Sequence, residues 1–134
     1  MITAPPFSEL FRSVFTQPTR DIVGLVDDLL TVCRHHCLQL DWQADHCRVR
    51  FCGGAWEELT DLTLRKAVFR ALLARLAALC NEQTSNSVSP YGGQSELSAG
   101  ANLPAVFKIR FTNTPDEQKL ELTTEARSGP EASA

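Results

Sequence analysis

The sequence predicts an α+β fold, a two-layer α/β sandwich in which two helices cover one face of a four-stranded, mainly antiparallel sheet. Two observations predict it. The spacing of apolar residues changes from helical over 19–37 to alternating over 38–51. A second helical stretch begins near residue 61 and is followed by a polar segment and two more alternating stretches. Strands with one apolar face need amphipathic helices to cover it, and this chain supplies two.

A short N-terminal amphipathic helix is predicted between Pro6 and Pro18. Its polar face carries Glu9 and Arg12 without a basic excess, so its apolar stripe suits a partner groove or a homodimer interface better than a lipid surface. Packing onto the chain's own domain is the alternative. The stripe consists of Phe7, Leu10, Phe11, Val14 and Phe15.

The first long helix is predicted to start at Thr19, with Asp21 in its first turn. Its apolar face runs from Ile22 to Cys33 and Cys37, so both thiols are predicted to point into the core. A hairpin follows, since the apolar positions then alternate with polar ones. Those positions are Leu38, Leu40, Trp42, Cys47, Val49 and Phe51.

The strongest helix is predicted to begin at Thr60 or Asp61, and its wide apolar stripe marks it as the centre of the core. Residues 83–104 are polar and rich in Ser, Asn and Gly, which predicts a long functional or mobile loop. Alternation over 106–111 and at Leu120 and Leu122 predicts the last two strands. The organisation is therefore a helix and linker (1–18), one domain (19–123) and a disordered tail (124–134).

Composition limits the classes of function. The chain has 134 residues, 43% of them hydrophobic, which suits one domain with a real core. Its net charge of -3 argues against nucleic acid and against an anionic membrane as partner. The N-terminus does not resemble a secretory signal, and five cysteines is an odd count, so we expect reduced thiols and a cytoplasmic location.

A cluster of cysteines and histidines in CRHHCLQLDWQADHC, residues 33–47, makes a metal sensor an alternative hypothesis. The candidate ligands are Cys33, Cys37, His46 and Cys47. Structural zinc sites bring four donors together from turns, whereas here the first pair lies in a helical pattern and His46 and Cys47 point to opposite faces of a strand. Cysteine as core filler and histidine at a helix end are therefore favoured.

No catalytic constellation emerges from the remaining polar residues. The loop serines lack a G-x-S-x-G elbow, and neither a P-loop nor a G-x-G-x-x-G motif is present. A nucleotide or small ligand bound beside the long loop is an alternative function. Its candidate contacts are Asn81, Asn86, Tyr91, Gly92 and Gly93.

Four stretches carry a remote resemblance to the histidine-kinase-type (GHKL) ATPase domain. IVGLVDDLLTVCRHHCLQLDW resembles its opening helix and strand, and LRKAVFRALLARLAALCNE resembles the helix that holds the nucleotide-site asparagine. SPYGG resembles the segment after that helix, and VFKIRFTN with KLEL resembles the next two strands. The resemblance covers about residues 20–123 and implies helices on one side of a mixed sheet.

The chain departs from that family at the nucleotide site. The family's asparagine falls at Arg70 or Ala74, or at Asn81 only if the helix is shifted, and the adenine-binding Asp-x-Gly-x-Gly box is missing. The resemblance therefore implies a degenerate relative that binds a partner rather than turning over ATP. We expect a non-enzymatic protein-interaction or regulatory module without a cofactor, working with a protein partner or as a homodimer.

Overall fold

A computed structural model describes residues 7–15, 21–52, 56–59, 64–99 and 105–125. The helices are α1 (Phe7–Phe15), α2 (Ile22–Val32) and α3 (Lys66–Gln83), and a 3-10 turn follows α2 at Cys33–His35. The strands are β1 (Cys37–Gln43), β2 (His46–Cys52), β3 (Trp56–Leu59), β4 (Gly92–Ala99), β5 (Ala105–Asn113) and β6 (Gln118–Glu125).

All six strands belong to one sheet in the order β3-β2-β1-β6-β5-β4. Every pair of neighbours is antiparallel, so the described strands form two three-stranded meanders that meet where β1 pairs with β6. The long helix α3 connects the two meanders. The α+β class and the antiparallel sheet agree with the prediction.

The predicted count of four strands is wrong, because the described residues already form six. Strand β4 lies within the segment 83–104 that the sequence predicts to be loop. It was missed because GGQSELSA has only Leu97 as a large apolar residue, which is enough for a strand at the edge of a sheet. Strand β6 also extends to Glu125, and residues 126–134 of the predicted tail lie outside the described residues.

Helices α2 and α3 begin later than predicted. The Asp21 carboxylate caps α2 by accepting a hydrogen bond from the Gly24 amide at 2.8 Å, so the acidic residue is the N-cap itself. Helix α3 begins at Lys66, with Arg65 at its N-cap position. The predicted starts Thr19, Thr60 and Asp61 lie outside the described residues, as does the linker 16–18.

Helix α1 adds its apolar stripe to the chain's own core. Phe11 is fully buried and Val14 nearly so, and the rings of Phe11 and Phe15 lie 5.0 Å apart. Leu10 is 38% exposed. The Phe7 side chain lies outside the described part of the chain. Helix α1 packs against α2, which corresponds to the alternative that the stripe packs onto the chain's own domain.

The hydrophobic core lies between the helices and one face of the sheet. The largest fully buried side chains come from α1, α2, α3 and four of the strands, which ties both meanders to the same core. These residues are Phe11, Leu29, Leu38, Leu40, Phe69, Leu72, Leu73, Leu76, Leu97, Phe107, Ile109 and Leu120. No helix in the described ranges is long and apolar enough to cross a membrane.

The two thiols predicted to share a helix face are separated by the end of that helix. Cys33 is fully buried, as predicted. The prediction for Cys37 is wrong, because α2 ends at Val32 and Cys37 already opens β1. Since Leu38 and Leu40 point to the core, the alternation of a strand sends Cys37 to the opposite face, where it is half-buried.

Candidate interaction site on the open face and edge of the sheet

The face of the sheet opposite the helices carries polar side chains in register across all six strands. One row contains a single residue from each strand, and each residue stands directly opposite the next one across the sheet. We call this row the polar ladder. In the order of the sheet, the ladder is Glu58, Arg50, Gln39, Glu121, Arg110 and Gln94. Each meander therefore contributes one Glu, one Arg and one Gln.

The two arginines of the polar ladder lie along the sheet. Arg110 donates from Nε to Gln94 Oε1 at 3.3 Å, and its Nη1 lies 3.9 Å from Glu121 Oε1. Arg50 donates from Nη1 to Gln39 Oε1 at 3.3 Å, and its Cζ lies 5.3 Å from the centroid of the Trp56 ring. Such exposed pairs add little stability, but they hold both guanidinium groups against the face of the sheet.

Two cross-strand charge pairs on this face differ in whether they form. Glu121 stands directly opposite Arg110, and the two side chains approach one another. Asp41 stands directly opposite Arg48, but the Arg48 Nε donates instead to Glu58 Oε1 at 3.2 Å. The strand β3, absent from the prediction, supplies that competing carboxylate.

A groove of about 420 Å³ lies over β4, β5 and β6 on the open face. A smaller one of about 60 Å³ lies over β1, β2 and β6, and the two share Glu121. The larger groove is lined by Gln94, Ser95, Glu96, Lys108, Ile109, Arg110, Glu121 and Thr123. Its cations and carboxylates balance, so it suits a polar segment with both signs of charge better than a polyanion.

Strand β4 forms one edge of the sheet, and both of its ends are closed. At one end the Gln83 side-chain amide donates to the Ser98 carbonyl at 2.7 Å and accepts from the Ser98 amide at 2.9 Å. At the other end Ser89 and Gly92 exchange backbone hydrogen bonds of 3.2 and 3.4 Å. Gln83 and Ser89 thus occupy the positions that a neighbouring strand would take.

Between these closed ends, the backbone of β4 offers an open window at Gln94 and Glu96. The N–H and C=O groups of one antiparallel residue point the same way, and the direction alternates along the strand. Since the backbone groups of Gly92 and Ser98 point outward, those of Gln94 and Glu96 do too. Among the described residues, one group contacts these outward N–H and C=O groups. It is the Ser95 hydroxyl, 3.5 Å from the Glu96 carbonyl oxygen, which is too long for a strong hydrogen bond.

Asn81, a predicted ligand contact, instead holds the turn between α3 and β4. Its Nδ2 donates to the Val88 carbonyl at 3.0 Å, and its Oδ1 accepts from the Val88 amide at 3.0 Å and from the Ser87 hydroxyl at 3.2 Å. The amide therefore has donor and acceptor contacts within its own chain. These bonds aim the chain from the end of α3 into β4.

The predicted glycine pair is explained by close packing. A Cβ on Gly92 would lie 2.9 Å from the Phe111 carbonyl oxygen, and one on Gly93 would lie 3.0 Å from Val88 Cγ1. Tyr91 is 64% exposed and Asn86 is an exposed turn residue with φ of 59°. In the described part of the chain these five residues lie around the turn between α3 and β4, and they line neither of the two grooves on the open face. The ligand hypothesis stays a prediction.

The four predicted metal ligands are not brought together. Cys33 and Cys47 belong to the core, Cys37 lies on the opposite face, and the exposed His46 stands 3.1 Å from Asp45 at the turn of the hairpin. Within the described ranges no three His, Cys, Asp or Glu residues form a group suited to a metal ion. Burial raises the pKa of the Cys33 thiol far above its usual value and that of Cys47 to about 12.

Comparison with known families and with curated proteins gives no match for this chain. The residues of the edge were missed by the sequence interpretation. Gln83 and Ser89 read as ordinary polar loop residues, and no local pattern marks them as strand closures. A usable signal was the alternation of Gln94, Glu96 and Ser98 with Ser95 and Leu97 directly after a glycine pair.

Proposed function

We propose that this protein is a non-enzymatic protein-interaction module and that β4 binds an extended segment of a partner polypeptide as a seventh strand. The open window at Gln94 and Glu96 is the observation that carries the proposal. It offers two N–H and two C=O groups to a peptide beside a polar groove. Backbone hydrogen bonds supply affinity in this binding mode, and alternate side chains supply specificity.

A flexible segment fits this edge better than a second folded copy does. A twofold axis through Ser95 would pair Gln94 with Glu96 of the copy, but it would also place Ser98 of the copy opposite Gly92. Ser89 already occupies that position. A folded strand of the length of β4 would therefore collide, whereas a peptide can bend away beyond the window.

The chemistry of the window defines the partner segment. A side chain opposite Glu96 lies on the open face, so a lysine or arginine fits there, and a polar residue fits opposite Gln94. The residue opposite Ser95 points to the helix side, where Cys80 of α3 interacts with Ser95. An apolar side chain fits that position. The expected partner is an extended segment that alternates polar or basic residues with apolar ones.

Replacing Gln94 by proline should abolish peptide binding and leave the fold intact. The substitution removes an outward N–H, and proline is tolerated on edge strands at such positions. The probe is an array of synthetic nonapeptides alternating Lys or Thr with Val or Ile, together with scrambled versions. We expect the wild type to bind alternating peptides, and the proline variant to lose them at an unchanged unfolding midpoint.

The matched control for that experiment is Gln94→Ala, which loses the same side chain and its contact with Arg110 but keeps the N–H. It should bind as the wild type does. Equal binding by the proline and wild-type proteins would overturn the proposal, as would the absence of binding to every alternating peptide.

Removing the Gln83 side chain should strengthen peptide binding about two- to tenfold, because a peptide that extends to Ser98 must displace this amide. The change is Gln83→Ala, measured by fluorescence polarisation of a labelled array peptide. Glu82→Ala is the control. Glu82 is exposed, it forms an ion pair with Arg75 Nη1 at 3.7 Å, and its loss should not change the affinity. Weaker binding by Gln83→Ala would contradict the role of this residue as a competing closure.

A further inference from the structure

Two of the five cysteines face each other across the first hairpin. Cys37 opens β1, Cys52 closes β2, and the register places them directly opposite one another. Both are free and half-buried, and both point to the open face, since their neighbours Leu38 and Phe51 point to the core. Sequence spacing alone does not show this pair, because fourteen other residues separate the two positions.

The geometry of the pair lies close to that of a disulfide. Directly opposite residues of antiparallel strands have Cβ atoms roughly 4.5–5.5 Å apart, whereas a disulfide needs about 3.5–4.5 Å. The strands must therefore approach one another by about 1 Å at this point. They end here, so no further β1–β2 pairing beyond the cysteines resists the movement. A bond formed with some strain is more readily reduced than a relaxed structural disulfide.

The other thiols differ from this pair in accessibility. Cys33, Cys47 and Cys80 are buried in the core. Burial raises the pKa of each of the three, so the reactive thiolate is disfavoured there. The chain thus provides an internal comparison between two accessible, facing thiols and three enclosed ones.

We propose that Cys37 and Cys52 form a reversible dithiol–disulfide site that reacts with low-molecular-weight disulfides of the glutathione class. One cysteine, as its thiolate, attacks a sulfur of the small disulfide, whose S–S bond breaks to release one small thiol. The second cysteine loses its proton and attacks the mixed disulfide, which releases the second small thiol. The protein dithiol is oxidised by two electrons, and the small disulfide is reduced by two.

The consequence of oxidation is local to the free end of the first hairpin. The bond joins the ends of β1 and β2 and encloses residues 38–51, which restricts the unfolded chain. Trp56 lies directly opposite Cys52 on β3, so its fluorescence reports on the sulfur chemistry beside it. The edge strand β4 is at the other side of the sheet, so this site is independent of peptide binding.

The test uses the full reduced chain, incubated in buffers with increasing ratios of oxidised to reduced glutathione. Denaturation in the presence of N-ethylmaleimide, followed by intact-mass measurement, counts all remaining thiols, including the buried ones, and a non-reducing peptide map assigns the bond. We expect a monomeric species with three of its five thiols alkylated and a Cys37–Cys52 link. We also expect a raised unfolding midpoint and a changed Trp56 emission in a Trp42→Phe background.

Single variants separate the dithiol from an ordinary reactive thiol. Cys37→Ser and Cys52→Ser should each stop at a stable mixed disulfide on the remaining cysteine, whereas Cys80→Ala should still form the internal bond. The proposal is overturned if all thiols stay reduced at every ratio, or if the bond joins other cysteines. Exclusively intermolecular bonds, or a Cys37→Ser variant that still forms an internal disulfide with Cys52, would also overturn it.

Discussion

Replacing Phe11 by alanine is expected to lower the free energy of unfolding by about 3–5 kcal/mol. The ring is fully buried in the core that α1 shares with the rest of the domain. Truncation removes its transfer free energy and leaves a cavity that α1, which packs against α2, closes only in part. Chemical denaturation followed by far-ultraviolet circular dichroism measures the loss.

Leu10→Ala is the matched control for this prediction, because Leu10 lies on the same helix and is 38% exposed. Its effect should stay within about 0.5 kcal/mol. Sedimentation of both variants tests the interface interpretation of the apolar stripe. A dimeric wild type that becomes a stable monomer in Phe11→Ala would show that the stripe serves a second copy, contrary to the burial seen here.

Replacing Gly92 by alanine is expected to cost about 2–5 kcal/mol. Its φ of 157° is rarely adopted by residues with a side chain, which costs roughly 1–3 kcal/mol. The added Cβ would also lie 2.9 Å from the Phe111 carbonyl oxygen, a backbone atom that cannot rotate away. Overpacking of that kind adds about 1–3 kcal/mol. Thermal and chemical unfolding of the variant measure the sum.

Tyr91→Ala provides the comparison, because this neighbour is 64% exposed and its loss should change stability by no more than about 0.5 kcal/mol. The pair of variants also separates two interpretations of the glycines. If Gly92 has a structural role, its replacement by alanine lowers stability. Normal stability of Gly92→Ala, with loss of a nucleotide-induced shift in the unfolding midpoint, would favour the ligand-binding interpretation.

The proposed functions occupy opposite halves of one sheet. The first meander carries the dithiol at the free ends of β1 and β2, and the second carries the open window on β4. The polar ladder crosses both meanders and covers the face between the two sites with paired polar groups. The two sites are therefore tested independently, and loss of peptide binding on β4 would not count against the dithiol, nor would failure of the disulfide to form count against peptide binding.

Much of the fold could be predicted because the apolar period is a local property. The alternation of Leu38 with Leu40 and of Phe107 with Ile109 identified four strands, and the wide stripe of α3 identified the central helix. Strand β4 escaped because an edge strand is stabilised by pairing with β5 along one side. Its own residues need little apolar character.

The local sequence by itself determined the class of fold, the face of each central strand and the burial of Cys33, since these follow from hydrophobic periodicity within a few residues. Tertiary structure alone decided that Cys37 meets Cys52, that Gln83 closes the edge of β4 and that α1 belongs to the core. Each of these depends on which distant segments become neighbours. Strand register and helix docking set those contacts, and no short stretch of the chain encodes them.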